Sequence, residues 1–230
     1  MGPVAISEIL ARPAPEAWRG FLREWYGIDG SSATSPQVGM PRALRDFYEF
    51  VGTAEQAFAI NEVLAPEDIW ADTGHLVFYV EEQGVWLWGI AERDWLADDP
   101  PVSGRENEPG TTWLQDAPSV SVFLVQMLVM NAALAGPHTA NAAWLPEAEA
   151  ERVLGDLSQL ALPPWHWPGS PTKWYAGEEK VAFTAPNIVP GQHASGEPLS
   201  VWISAVSEEA ITFIEPHLSD GWDYYSPRDG

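Results

Sequence analysis

Two pairs of adjacent acidic residues, Glu81 with Glu82 and Asp98 with Asp99, are the residues of this sequence best suited to acid–base chemistry. Two carboxylates can act on one bond only when both of them face it. Neighbouring side chains of a strand point to opposite faces of a sheet, so these pairs have poor geometry for that task. We therefore predict that the chain is not an enzyme and that it has no catalytic residue.

Other catalytic and ligand-binding patterns are missing from the sequence. It has no cysteine and no GxSxG, GxGxxG or GxxxxGK[ST] motif, and Ser195 in GQHASG lacks the setting of a nucleophile. Metal or general-base chemistry would favour HxH, HExxH or i, i+4 spacing, which the five histidines do not have: His75, His138, His166, His193 and His217. We predict no metal site and no cofactor.

The charge of the chain favours a binding function. It has 33 acidic and 11 basic residues, a net charge of −22. Such a surface repels phosphate groups, which argues against nucleic-acid and anionic-membrane partners, and it attracts basic proteins. A plainer explanation is that the acidity only keeps the protein in solution. We predict that the following acids are contact charges for a basic partner: Asp98, Asp99, Glu81, Glu82, Glu106 and Glu108.

Thirteen tryptophans are available as anchors for a partner or as core residues. Trp86 and Trp88 are two residues apart on a predicted strand, so both face the same side, which is either a core face or an aromatic platform. Trp165, Trp167 and Trp174 lie among prolines, where they line a groove for a sugar or peptide or attach an irregular loop to the core. The predicted contact set includes Trp86, Trp88 and Trp167.

The elements that must position these residues follow from the apolar pattern. LVFYV and VWLWGI, separated by EEQG, predict a β-hairpin whose glycine takes a positive φ, and an acidic loop follows it. Helical spacing, caps, Gly and Pro predict helices at 15–26, 41–52, 119–135 and 147–160, a short one within 61–69 and one after Ser207. Further strands are predicted at 180–184 and 199–204. This mixture predicts an α+β fold with a mostly antiparallel sheet.

Four segments carry a family resemblance when taken in order. They are PRALRDFYEFVG from Pro41, LAPEDI from Leu64, LVFYVEEQGVWLWGI from Leu76 and DDPPV from Asp98. Together they resemble the SUKH superfamily, which includes Smi/Knr-type regulators of cell-wall synthesis and bacterial immunity proteins. The resemblance is best over 38–135. The chain departs from the family at Gly52, which is followed by Thr53 where many members have a second glycine.

The resemblance implies a central, mostly antiparallel sheet flanked by helices. It also implies one domain over 1–230, whose sheet is completed by strands and a helix from 175–220. In bacteria it implies a cytoplasmic, non-enzymatic immunity protein that binds and occludes a basic toxin domain of nuclease or deaminase type. No oligomeric state follows. The apolar stretch 120–130 is too short to span a bilayer, and the first residues do not resemble a signal peptide.

Two alternatives stay open at this point. The first is a regulatory adaptor on the same fold, with an envelope-synthesis protein as its partner. The second is a glycan-binding module or weak hydrolase that uses the tryptophans of 165–174.

Overall fold

The computed structural model describes residues 4–30, 39–52, 60–186 and 198–229. Residues 31–38, Thr53, His193 and Ser195 therefore lie outside the described residues. The chain forms two compact units. The first unit is Ala14–Leu128, and the second unit combines Met1–Pro13 with Val129–Gly230.

Helices and strands alternate irregularly along the described chain. The helices are α1 (Ile6–Leu10), α2 (Ala14–Tyr26), α3 (Arg42–Val51), α4 (Val120–Ala135), α5 (Glu147–Leu154), α6 (Glu208–Ile211) and α7 (Ser226–Asp229). The strands are β1 (Glu62–Val63), β2 (Trp70–Asp72), β3 (His75–Val80), β4 (Trp86–Ala91), β5 (Val102–Glu106), β6 (Leu114–Ala117), β7 (His138–Leu145), β8 (Ser158–Gln159), β9 (Lys173–Ala176), β10 (Lys180–Pro186), β11 (Leu199–Ala205) and β12 (Tyr224–Tyr225).

Each unit contains one antiparallel sheet. In the first unit the order is β1-β3-β4-β5-β6, with β2 also paired to β3; in the second unit it is β12-β7-β11-β10-β9-β8. The α+β class and the antiparallel pairing are thus confirmed. The C-terminal strands do not complete the first sheet, which corrects that expectation. Strands β11 and β12 pair with β7, and β10 pairs with β11. Strand β7 was not predicted, because the residues of HTANAAWL are mostly small and partly polar. One domain over 1–230 stays a prediction.

The predicted helices of the first unit form where the caps and the apolar spacing place them. Gly27 ends α2 at a φ of +68°, and its N–H donates to the Arg23 carbonyl at 3.1 Å. Leu44, Phe47 and Val51 form the buried stripe of α3, which Pro41 precedes and Gly52 ends. The segment LAPEDI holds only a 3-10 turn, Pro66–Asp68, since three residues are too few for an α-helical ladder.

Helix α5 ends at Leu154 and does not reach residue 160 as predicted. Ser158 and Gln159 instead pair with β9, and Leu157 and Leu160 are still buried. The apolar pattern identified the buried residues correctly. It was read as helical over the whole of 147–160, whereas the segment changes from helix to strand. Ser207 caps α6 as predicted, accepting a bond from the Ala210 N–H at 3.2 Å. Pro216 lies in the 3-10 turn Thr212–His217 that follows.

The hairpin of the first unit is confirmed. Strands β3 and β4 pair antiparallel, and the Gly84 N–H donates to the Glu81 carbonyl at 2.7 Å with a φ of +70° at Gly84. A residue with a side chain would be strained at this φ. The turn at 81–85 is therefore tight, and it lies at one end of the sheet.

Candidate binding site

The predicted contact acids lie at two opposite ends of the first sheet. Trp86 pairs with Glu106, so the hairpin turn and the segment after β5 share one end. Asp98 and Asp99 connect β4 to β5 at the other end. A five-residue strand separates the two ends by about 17 Å. We call the first end, made of the turns at 81–85 and 106–111, the hairpin edge.

Glu81 and Glu82 have different environments within the hairpin edge. Glu81 is only 7% exposed, and its Oε2 accepts bonds from the N–H groups of Gln83 at 2.9 Å and Val85 at 3.2 Å. Its carboxylate holds the turn together, which corrects its prediction as a contact charge. The side chain of Glu82 is exposed, and its backbone N–H donates to Asn61 Oδ1 at 3.2 Å.

Asn107 joins the two turns of the hairpin edge. Its N–H donates to the Val85 carbonyl and its Nδ2 to the Gly84 carbonyl, both at 2.8 Å. Glu106 and Glu108, on either side of it, are exposed, and Val85 is 50% exposed. Three exposed carboxylates and one apolar side chain are thus carried on two turns that are fixed to each other. Asn107 and Val85 gave no signal in the sequence, because their role depends on the pairing of β4 with β5.

A buried ion pair stands behind the hairpin edge. Arg105 is 6% exposed, and its Nε donates to Asp72 Oδ2 at 2.8 Å while its Nη2 bonds the same oxygen. Its Nη1 donates to the carbonyls of Glu106 at 2.8 Å and Glu108 at 3.0 Å and to Thr111 Oγ1 at 2.7 Å. The sequence gives no sign of this pair, since its members are 33 residues apart. An arginine beside Glu106 suggests a surface charge and not a buried one.

An aromatic stack lies on the face of the sheet that carries Arg105. The rings of His75 and Trp113 lie 4.3 Å apart at 19°, and the Trp113 Nε1 donates to Thr73 Oγ1 at 2.8 Å. Gly89 leaves room for the indole, since a Cβ there would lie 3.2 Å from it. Burial is the main cause that lowers the pKa of His75 below its usual value, so the folded protein favours the neutral imidazole.

The opposite end of the sheet borders a cleft of about 390 Å³. Its charged lining residues are two arginines and three aspartates: Arg19, Arg42, Asp46, Asp98 and Asp99. Trp18 and small residues complete the lining. Arg19 pairs with Asp46 at 3.2 Å and lies 4.2 Å from the Trp18 ring centre. The cleft therefore contains both signs of charge.

Asp98 and Asp99, the adjacent pair among the three aspartates of the cleft, make different bonds. Asp99 Oδ1 accepts a bond from the Ser121 N–H at 2.8 Å, at the start of α4. A carboxylate is favourable there because the helix N-terminus is positive. The backbone carbonyl of Asp98 accepts from the Ala43 N–H at 2.9 Å. Its side-chain carboxylate is exposed. Asp99 bonds the helix and is also exposed, so its role as a contact charge stays a prediction.

Trp86 and Trp88 form a core face and not an exposed platform. They are 7% and 0% exposed, and Trp88 Nε1 donates to the buried Asp116 Oδ2 at 2.8 Å. Gly104 makes room for them, because a Cβ there would lie 2.5 Å from Trp86 Nε1 and would collide with Asp116. Their prediction as partner anchors is corrected by this burial: the Trp88 ring packs on Phe123 of α4, and the Trp86 ring packs on Trp88.

The tryptophans of the proline-rich segment point inward for the most part. Trp165 and Trp174 are fully buried and pack edge to face at 5.4 Å. The Trp174 Nε1 donates to the Pro163 carbonyl at 3.1 Å, and the Trp165 N–H to Thr172 Oγ1 at 2.6 Å. These two attach an irregular loop to the core of the second unit. Trp167 is half-buried and is the member of this group that keeps a surface.

No helix within the described residues is both long and apolar enough to cross a membrane. No three His, Asp or Glu side chains among them come together as ligands for a metal ion. Comparisons of the chain with family models, with curated proteins and with solved structures found no match.

Proposed function

We propose that this chain is a non-enzymatic binding protein of the SUKH type, a cytoplasmic bacterial immunity protein that binds and occludes a basic toxin domain. The toxin would be of nuclease or deaminase type, since an acidic surface competes for the Arg and Lys side chains that hold nucleic acid. The observation that carries the proposal is the hairpin edge, where Glu82, Glu106 and Glu108 are exposed on turns that Asn107 joins. The sheet of the first unit would be the SUKH-like sheet.

Charge distribution favours the hairpin edge over the cleft as the contact. Within the described part of the chain, no Lys or Arg pairs with the carboxylates of Glu82, Glu106 or Glu108. Arg105 bonds Asp72 and backbone carbonyls, and it does not bond the carboxylates of the neighbouring glutamates. In the cleft, Arg19 pairs with Asp46 and Arg42 adds a second positive charge. A basic surface is therefore attracted more strongly to the hairpin edge.

The hairpin edge also has the composition of a protein contact. Val85 is a half-exposed apolar side chain beside the acids, and an interface typically has an apolar centre with a polar rim. The turns are closed by backbone bonds before any partner arrives, so binding orders few groups. We expect fast association that slows as salt is added, because the attraction is long-ranged and screened.

The first experiment is capture of partners from a lysate of the source organism on the immobilised full chain. Washing at low and at high salt and mass spectrometry of the retained proteins identify the partner. We expect one basic protein with a nuclease- or deaminase-like domain, held at low salt. Retention of envelope-synthesis proteins alone would replace the immunity proposal by the adaptor. Retention of wall fragments, lost in Trp167→Ala, would replace it by the glycan-binding module.

The second experiment locates the contact with the partner so identified. The triple variant Glu82→Gln, Glu106→Gln, Glu108→Gln should slow association about tenfold at low salt with little change in the dissociation rate. Asp98→Asn is the matched control at the cleft, and we expect it to leave association unchanged. Slowing by Asp98→Asn and not by the triple variant would move the contact to the cleft.

A further inference from the structure

Arg105 is placed to shape the hairpin edge from inside the protein. Its guanidinium is buried, and two of its nitrogens are held by Asp72, which fixes the direction in which the third nitrogen points. That nitrogen, Nη1, bonds the carbonyls of Glu106 and Glu108. A planar guanidinium presents its donors in a rigid fork, so the spacing of its acceptors is set by the arginine.

Thr111 closes the same turn from its other side. Its hydroxyl accepts from Arg105 Nη1 and lies 2.7 Å from the Glu106 carbonyl and 2.8 Å from the Glu108 carbonyl. The backbone of 106–111 therefore bends around one buried nitrogen and one hydroxyl. The two carboxylates on this turn point outward, because the buried cation engages the carbonyls and not the side chains.

We infer that Arg105 is the positioning residue of the partner contact, which holds Glu106 and Glu108 in the arrangement that a basic surface meets. This inference rests on the proposed function of the hairpin edge. It adds that the affinity depends on the shape of the turn at 106–111 as well as on its charge. The buried fork acts through the two glutamates and touches no partner itself.

The chemistry of the fork predicts which substitutions matter. Arg105→Lys keeps one positive charge but has a single nitrogen, which cannot bond Asp72 and three acceptors of the turn at once. Thr111→Val removes only the hydroxyl and nearly preserves the volume of the side chain. Both variants should loosen the turn while the two carboxylates stay in the chain. Glu106→Gln with Glu108→Gln should do the opposite, keeping the turn closed and removing its charge.

The test uses the full chain and a deca-arginine peptide as the probe, titrated at low salt and followed by amide signals in NMR spectra. The peptide should shift signals of 82–85 and 106–111 in the native protein. Thr111→Val and Arg105→Lys should speed amide hydrogen exchange at 106–111. Both should also lower the affinity of the peptide for the hairpin edge about three- to tenfold. Glu106→Gln with Glu108→Gln should lower the affinity of the peptide without changing amide hydrogen exchange at 106–111.

Each outcome decides between the inference and the function on which it rests. If exchange at 106–111 rises in Thr111→Val but the affinity is unchanged, or if exchange does not rise, the positioning role is overturned and the proposed function stands. Full affinity in Arg105→Lys would overturn it too, since charge alone would then suffice. If the peptide shifts no signal of the hairpin edge in the native protein, the proposed function itself fails. Thr111→Val carries the test if the Arg105 variant does not fold.

Discussion

The hairpin edge and the cleft each carry a pair of adjacent acidic residues, and the members of each pair differ in role. Glu81 bonds two backbone N–H groups of its own turn, and Asp99 bonds the first turn of α4. Glu82 and Asp98 are exposed beside them. One carboxylate of each pair is thus bonded to the backbone of the fold, Glu81 from a buried position and Asp99 from an exposed one.

The two regions differ in how their positive charges are used. At the hairpin edge the arginine is buried and bonds Asp72 and carbonyls, whereas in the cleft Arg19 pairs with Asp46 near the surface. The same residue types therefore produce an edge of one sign and a cleft of both signs. A count of acidic residues in the sequence does not distinguish these arrangements.

The largest expected difference is between the two arginines. Arg105→Met should lower the free energy of unfolding by about 3 kcal/mol, because it leaves Asp72 and the turn carbonyls without their buried partner. Arg19→Met should lower it by less than about 1 kcal/mol, since its pair is about one-third exposed. Urea unfolding followed by circular dichroism measures both. Equal losses would contradict the ranking of the two regions.

The next comparison is within the hairpin turn. Glu81→Ala should destabilise the protein by about 1–3 kcal/mol, because the N–H groups of Gln83 and Val85 lose a charged acceptor. Glu82→Ala is the matched control and should change stability by less than about 0.5 kcal/mol. The same urea titrations report both values. If the two variants are equally stable, the bonds of Glu81 are not the ones that close the turn.

A smaller difference is expected at the cleft. Asp99→Ala should lower stability by about 1 kcal/mol, the usual effect of removing a carboxylate that accepts from a helix N-terminus. Asp98→Ala should have little effect, since its contribution to the fold is the backbone carbonyl that accepts from Ala43. Thermal unfolding of the two variants side by side provides the measurement. A greater loss from Asp98→Ala would reverse the roles assigned to the two aspartates.

The smallest effect concerns pH and involves His75, which stacks on Trp113 near Arg105. Burial lowers the pKa of His75, so its contribution to stability is complete above the unfolded value of 6.5. That contribution is lost as the pH falls through the lower pKa of the folded state. The free energy of unfolding of the native protein should therefore fall relative to that of His75→Phe as the pH is lowered from about 7.5 to about 5.5. A constant difference would show that the imidazole is equally solvated in both states.

Local signals in the sequence were enough for much of the first unit. Helix α3 was predicted by Pro41, Gly52 and a stripe of large apolar residues, and the hairpin by two apolar runs around Gly84. Strands such as β5 and β7 were not predicted. VSGRE and HTANAAWL have few β-branched or aromatic residues, and their neighbours in the sheets stabilise them. The candidate site was predicted only as a set of acids, without its division between two ends.

By itself the sequence determined the strong negative charge, the helices with caps at both ends, the hairpin and the antiparallel α+β class. These depend on composition and on residues within a few positions of each other. Only the tertiary structure decided that Glu82, Glu106 and Glu108 share the hairpin edge and that Trp86 and Trp88 are core. It also decided that Glu81 bonds the hairpin turn and that Asp99, at the other end of the sheet, bonds the start of α4. Those facts depend on strand register and on the 33-residue separation between Asp72 and Arg105, which no local pattern encodes.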